Sequence, residues 1–403
     1  MKMEWQTKRL GEICEIERGG SPRPIESFIT NDPNGVNWIK ISDATASGKY
    51  IYKTEEKIKP EGVRRSRMVY EGDFLLSNSM SFGRPYIMKT TGCIHDGWLV
   101  LRQPKIDQDY LYYVLGSDLL FSQFDRLAAG STVRNLNIGL AKTVEIPYPP
   151  LQEQRRIVGI LDESFDSIST AVVNSEKNLH NARALFRSHL QDVFSRPEKG
   201  WVKNRLKSIT TKIGSGATPR GGQESYKSQG VSLIRSLNVH DLGFRYPKLA
   251  HLDDAQADEL SNVEVLPRDV LLNITGASVA RCCVVPDDVL PARVNQHVSI
   301  IRPIADRLDA DFLHYLLISD PYKNKLLQTG EEGGSTRQAI TKAQIQDFLV
   351  EYPATLKEQK SITSRLDAML AETQRLSSVY ERKLAALEAL KKSLLHKAFA
   401  GQF

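Results

Sequence analysis

The apolar positions of this chain follow two different periods. Over residues 36–42, 73–77 and 98–102, and again over 231–237, 269–275 and 297–302, short runs of Val, Ile, Leu, Phe and Trp are broken by Gly, Pro, Asn and Asp, which predicts strands. A helix is expected near 110–127 and another near 311–327. Two later stretches, 151–195 and 356–400, switch to steps of four and three. In the first, Leu161, Phe165, Ile168, Val172, Ser175, Leu179, Ala182 and Phe186 share one stripe. In the second, Ile362, Leu366, Met369, Thr373, Leu376, Tyr380, Lys383, Leu387, Leu390 and Leu394 do so. A 3.5-residue period is that of a coiled-coil seam. Pro149-Pro150 is tolerated at the first helix start, Thr355-Leu356-Lys357-Glu358 reads as a capping box at the second, and Pro197 ends the first. Each helix would be about 60–68 Å long at 1.5 Å per residue. Two helices packed on their own domains would also satisfy the pattern. The length of the seams favours antiparallel pairing with each other, with the globular domains at the ends of a rod.

These elements occur twice. Leu151-Gln152-Glu153-Gln154-Arg155-Arg156-Ile157-Val158-Gly159-Ile160-Leu161-Asp162 returns as Leu356-Lys357-Glu358-Gln359-Lys360-Ser361-Ile362-Thr363-Ser364-Arg365-Leu366-Asp367, with six of twelve positions identical at an offset of 205. Trp5, Leu10 and Ile13 match Trp201, Leu206 and Ile209, and Ser21-Pro22-Arg23 matches Thr218-Pro219-Arg220. Ile39-Lys40 matches Ile234-Arg235, and Asp73-Phe74-Leu75-Leu76 matches Asp269-Val270-Leu271-Leu272. Gly130-Ser131-Thr132 matches Gly334-Ser335-Thr336. A period of half the chain is too long for a solenoid, whose units run about 20–50 residues. Two copies of one whole module are implied, suited to reading two places on one partner.

Composition narrows the class. At 403 residues, 41% hydrophobic and 25% charged, the chain resembles an ordinary soluble protein with room for two to four cores. No apolar run approaches the roughly 20 residues of a membrane span, and the first residues lack the apolar stretch of a signal peptide. Four cysteines, two of them adjacent and none in a CxxC pair, argue against a disulfide framework or zinc site and suit a reducing cytoplasm. The net charge of +6 is spread thinly: 20 basic to 18 acidic residues over 1–148, 18 to 18 over 201–353, and 9 to 5 over 354–403. A lone DNA-binding domain usually carries a plainer positive footprint. If the partner is DNA, basic groups must be focused on one face or another subunit must share the phosphate grip.

The chain offers few candidates for catalytic chemistry. There is no GxxxxGK[ST] phosphate loop, no S-adenosylmethionine signature and no Asn/Asp-Pro-Pro-aromatic motif. Nuclease-like spacings such as Asp43…Glu55-Glu56-Lys57 arise by chance in a charged chain. His95, His240, His251 and His297 show no metal-ligand spacing. What remains is polar, Gly-rich and doubled: the Ser/Thr-Pro-Arg loops, the Gly-Ser-Thr loops, and the stretches Ser77–Arg84 and Asn273–Arg281 after the Leu-Leu strands. Such loops combine hydroxyls and backbone N–H groups that hold phosphates with Arg, Asn and Gln that read base edges. Ordinary connecting loops have the same composition; recurrence at matching places favours a functional role.

The order of these parts is a Ser/Thr-Pro loop, an Asp-x-Leu-Leu strand, a Gly-Ser-Thr loop, Pro-Leu-x-Glu-Gln-x-x-Ile and a long helix, all twice. It resembles the DNA-specificity subunit of type I restriction–modification systems over essentially the whole chain. Pro149-Pro150-Leu151-Gln152-Glu153-Gln154-Arg155-Arg156-Ile157 carries the likeness most specifically; the second copy has Ala354-Thr355 in place of the two prolines. The resemblance implies an α+β fold with two target-recognition domains, 1–148 and 201–353, in pseudo-twofold arrangement. An antiparallel coiled coil of the helices in 149–200 and 354–403 would separate them. It implies double-stranded DNA as ligand and an asymmetric bipartite site. The DNA-binding candidates are Ser21, Arg23, Lys40, Asn78, Ser79, Arg84, Ser131, Thr132, Arg134 and Asn135 in the first copy. In the second they are Thr218, Arg220, Arg235, Asn273, Thr275, Arg281, Ser335, Thr336, Arg337 and Gln338. Two methyltransferase (modification) subunits would dock on the helices, with Leu151, Glu153, Gln154, Ile157 and Leu161, and Leu356, Glu358, Gln359, Ile362 and Leu366, as contact candidates. Restriction/translocase subunits would complete the complex. The chain itself would be no enzyme and hold no metal or cofactor, with S-adenosylmethionine, ATP and Mg on the partner subunits. A partner-independent DNA-binding regulator and a protein-binding coiled-coil scaffold stand as alternatives.

Overall fold

The computed structural model describes residues 5–78, 83–129, 136–331 and 339–403. The chain divides into two compact units, Met1–Glu176 with Arg382–Phe403, and Lys177–Glu381.

In the first unit, strand Phe74–Ser77 lies between Trp98–Arg102 and Pro85–Met88, antiparallel to both. Glu15–Arg18 and Tyr50–Ile51 form the outer edges of this five-stranded sheet. Every residue of Phe74–Ser77 is buried. A strand covered on both faces reads as a continuous apolar run rather than an alternating one, which accounts for the Asp-x-Leu-Leu motif. A second five-stranded sheet has the order Ile29–Thr30, Glu56–Ile58, Val36–Ile39, Gly92–Ile94, Arg67–Val69. Within it Val36–Ile39 and Gly92–Ile94 run parallel. Gln6–Arg9 pairs with Glu145–Tyr148, so the ends of the domain meet where the first long helix, Leu151–Ser195, departs.

The second unit repeats this plan. Val270–Asn273 lies between Val298–Pro303 and Cys282–Val284, Val231–Ile234 runs parallel to Ala292–Val294, and Trp201–Arg205 closes on Leu349–Pro353 before the second long helix, Leu356–Phe399. It differs in carrying a small hairpin, Val239–His240 with Gly243–Phe244.

The helix expected near 110–127 is two helices, Gln108–Leu115 and Asp118–Ala129, and the one near 311–327 is also two, Ala310–Ile318 and Asp320–Glu331. The break is a buried serine in each copy. Ser117 Oγ donates to Val114 O at 2.6 Å and Ser319 Oγ to Leu316 O at 2.6 Å. Serine competes for backbone partners in this way and favours helix ends over helix interiors. The run expected over 36–42 stops at Ile39, because Asp43 accepts from the Lys40 N–H at 2.8 Å and starts a helix, Ile41–Ser47.

Each unit holds part of both long helices, because the first helix begins in the first unit and ends in the second, and the second does the reverse. In the first unit Ile157 and Leu161 share a core with Ala398 and Phe399, and Lys391 Nζ lies 5.1 Å over the Phe165 ring. In the second, Phe186, Leu190 and Phe194 share a core with Ile362 and Leu366, and Arg183 binds Glu381 at 2.7 Å. The helices therefore pack on the domains as well as on each other. The stripe of the first helix is as expected, with Leu161, Ile168, Ser175, Ala182 and Phe186 buried. The second helix departs from the expected seam. Lys383 is exposed and Leu390 is 46% exposed, while Leu384, Leu387 and Leu394 are half-buried. Two successive steps of four, Leu376 to Tyr380 to Leu384, replace a four and a three. An unstrained helix of 3.6 residues per turn drifts against a strict heptad in this direction. Buried Ser175 and Thr373 satisfy their hydroxyls within their own helix, on Ala171 O at 2.6 Å and Leu370 O at 2.9 Å. No helix among the described residues is long and apolar enough to cross a membrane.

Candidate nucleic-acid interface

In the first unit two loops are forced together by a glycine. A Cβ at Gly19 would lie 2.0 Å from His95 O, so only glycine allows the backbones to pass this closely. Gly19 N–H donates to Trp98 O at 2.9 Å and Gly20 N–H to Ile94 O at 3.1 Å. The Ser21-Pro22-Arg23 loop is thereby laid against His95-Asp96. Ser21 Oγ donates to Asp96 Oδ1 at 2.6 Å, while Arg18 Nε and Asn78 Nδ2 clamp the Asp96 carbonyl at 3.0 and 2.9 Å. Arg23 stays loose, 3.8 Å from Asp96 Oδ2 with its side chain 83% exposed. Ser21, Arg23, Trp38, Lys40, His95 and Asp96 line an open cavity of about 850 Å³. The Ser21 hydrogen bond holds the Asp96 carboxyl below its ordinary range, so it is ionised at neutral pH. Burial lowers His95, leaving a neutral imidazole whose Nδ1 accepts from Gly97 N–H at 2.9 Å. Lys40 is bonded to Glu56 at 2.7 Å, which raises its pKa.

The second unit builds the same pair of loops from different residues. A Cβ at Gly216 would lie 1.6 Å from Val294 O, and Gly216 N–H donates to Asn295 O at 3.2 Å. Thr218 Oγ1 donates to Gln296 Oε1, as Ser21 does to Asp96. Thr218, Arg220 and Gln296 are exposed. Asn295 Oδ1 accepts from His297 N–H at 3.1 Å, and His297 Nδ1 lies 2.6 Å from Thr275 Oγ1. A separate hollow of about 620 Å³ is lined by residues 240–244 of the hairpin with Arg245 and Arg281. Burial, then these two arginines, lower His240.

A family model for the type I restriction modification DNA specificity domain matches residues 2–179 and again 198–381. The chain belongs to this family. The MjaIX type I restriction enzyme specificity subunit of Methanocaldococcus jannaschii is 25% identical over 252 residues, spanning 58% of this chain and 57% of that subunit. The EcoBI specificity subunit of Escherichia coli is 21% identical over 440 aligned residues, covering 99% of this chain and 86% of its own length. A solved structure described as the basis of complex assembly and conformational transition of the type I R-M system has a TM-score of 0.75. It is 22% identical, covers 99% of this chain and 98% of its own, and shows the likeness of fold. The chain is thus two DNA specificity domains in tandem, each an α+β module with a long helix behind it.

Within these specificity domains, Ser21, Arg23, Lys40 and Asn78 come together around Asp96, and Thr218 and Thr275 around the loop 295–297. Asn78 and Asn273 do not sit at the surface as their candidacy required. Both are buried, with Asn273 Nδ2 donating to Ser236 O at 2.8 Å, so they position loops from within. Arg235 is also engaged inside its domain, donating to Lys248 O with its guanidinium 5.2 Å from the Tyr226 ring. Arg84 is exposed beside Tyr86, and Arg281 lines the separate hollow. Ser79, Ser131, Thr132, Arg134, Asn135, Ser335, Thr336, Arg337 and Gln338 lie outside the described residues. His95 and His297 entered the sequence reading only as histidines without metal-ligand spacing, and Asp96, Asn295 and Gln296 did not enter it. The available signal was their doubling, Ile94-His95-Asp96 and Val294-Asn295-Gln296, each placed just before an apolar strand.

The helix-start motif has a different role from a bare docking surface. Gln154 is buried, donating to Pro149 O at 2.7 Å and accepting from Asp107 N–H at 2.8 Å. Gln359 repeats this on Pro353 O at 2.9 Å and Asp309 N–H at 2.8 Å, and adds Arg307 O at 3.0 Å. Asp107 and Asp309 in turn cap the helices Gln108–Leu115 and Ala310–Ile318. Ile157, Leu161, Ile362 and Leu366 are buried in the domain cores. The glutamine locks each long helix to its own specificity domain, so these buried positions are not a surface for another chain. Leu151 and Glu358 are exposed, and Glu153 and Leu356 are half-exposed.

Proposed function

We propose that each unit reads one half of a split, asymmetric site in double-stranded DNA, and that the chain positions other subunits without catalysing a reaction. The observation that carries this reading is the loop pair built twice on the same scaffold with different polar tips, Ser21/Asp96 and Thr218/Gln296. Shared framework gives two similar approaches to the duplex; different tips give different half-sites. An ionised carboxylate at the tip of one loop repels phosphates, which favours a base edge as its partner. Two modification subunits dock on exposed positions of the long helices and supply S-adenosylmethionine. Restriction/translocase subunits supply ATP and Mg. The near-balanced charge of each domain fits a duplex held jointly with such partners. The complex works where the chromosome is, in the cytoplasm. The test is methylation mapping in cells that carry the chain with its partner subunits, against cells from which the chain alone is deleted. A bipartite, asymmetric methylated motif that disappears on deletion is expected; a motif that persists, or one without an unread spacer, overturns the proposal.

A further inference from the structure

The two copies place chemically different groups at one position. Asp96 and Gln296 occupy the same point of their loops, two residues before the strands Trp98–Arg102 and Val298–Pro303, and each accepts from the hydroxyl of the Ser/Thr-Pro-Arg loop. Asp96 is ionised and accepts only. Asp96 lines the cavity, with its Oδ1 taken by Ser21 and its Oδ2 3.8 Å from the loosely held Arg23. Its backbone is fixed by Arg18 and Asn78. Gln296 is exposed and presents both an amide N–H₂ and a second carbonyl lone pair, because Thr218 occupies only one acceptor site on Oε1.

Resting on the reading of the chain as a two-domain DNA reader, we infer that Asp96 and Gln296 are paired specificity determinants that select different bases. In the major groove the exocyclic amino group of cytosine is a donor that suits an acceptor-only carboxylate, and adenine presents a donor and an acceptor side by side that suit a glutamine amide. Asp96 selects cytosine at one position of the half-site read by the first unit. Gln296 selects adenine at one position of the half-site read by the second. Ser21 and Thr218 act as positioning residues that aim the two side chains.

The test uses the complex of the full chain with its modification subunits, in competition binding to duplexes that vary each base of the methylated motif in turn, together with methylation mapping. The variants are Asp96→Asn and Gln296→Glu, which keep shape and exchange the hydrogen-bonding pattern. Asp96→Asn should reduce the preference for cytosine at one position of one half-site on the order of tenfold to a hundredfold, leaving the other half-site unchanged. Gln296→Glu should do the same to adenine in the opposite half-site. Should the complex with Asp96→Asn fail to fold, the exposed Gln296 carries the test by itself. Unchanged base preference in the variants, or an equal loss of affinity for all sequences, overturns the inference while leaving the proposed function standing. A wild-type complex with no sequence preference overturns the proposed function instead.

Discussion

Replacing Gln359 with alanine should cost the second unit far more than any exposed change in the same motif. The side chain is fully buried and bonded to three backbone groups, Arg307 O at 3.0 Å, Pro353 O at 2.9 Å and Asp309 N–H at 2.8 Å. Alanine leaves Pro353 O and Asp309 N–H unpaired in a buried site, and Arg307 O unpaired at its edge. A buried polar group without a partner costs about 1–3 kcal/mol, so the loss should total about 3–5 kcal/mol after modest relaxation. For a domain of this size each kcal/mol moves Tm by about 2–4 °C, which gives a decrease of roughly 6–20 °C. Differential scanning calorimetry reads the decrease, and hydrogen exchange at the Asp309 amide reports the lost bond directly. The control is Glu358→Ala. Glu358 is exposed in the first turn of the helix, where its interaction with the helix dipole contributes less than about 1 kcal/mol. If Gln359→Ala melts with the wild type, or no differently from Glu358→Ala, the glutamine does not lock the helix to the domain.

Other consequences follow from the same geometry. Gly216→Ala should separate the two reading loops of the second unit, since its Cβ would meet Val294 O at 1.6 Å; binding through that half-site should fall while the first half-site is kept, as read by competition binding. Ser21→Ala should raise the Asp96 pKa toward its ordinary value, because the hydroxyl is the main cause of its depression. The native contribution of the ionised Asp96 is complete above the usual carboxylate range and is lost as pH falls through the depressed native value, so the variant should lose it at higher pH than the wild type in an NMR titration. Leu384→Ala should destabilise the first unit by about 1–2 kcal/mol and Leu390→Ala by no more than about 0.5 kcal/mol in urea unfolding, the reverse of what a strict heptad count implies.

The duplication, the strands around the Leu-Leu motifs and both long helices can be read directly from the order of residues. These rest on local signals: a fixed offset between copies, runs of apolar residues, and a stripe with helical period. The capping hydroxyl of Thr355, which accepts from Glu358 N–H at 3.3 Å, was legible for the same reason. Which segments meet emerges only once the chain is folded. Ser21 and Asp96 are 75 residues apart, Thr218 and Gln296 are 78 apart, and Gln359 reaches back 50 residues to Asp309. No periodicity encodes such pairs. They exist because Gly19 and Gly216 let two backbones touch, and because a buried amide must find partners wherever the fold supplies them. Burial likewise turned Asn78, Asn273 and the motif glutamines from surface candidates into internal braces, since polarity shows that a side chain needs hydrogen bonds but not whether water, DNA or its own backbone will provide them.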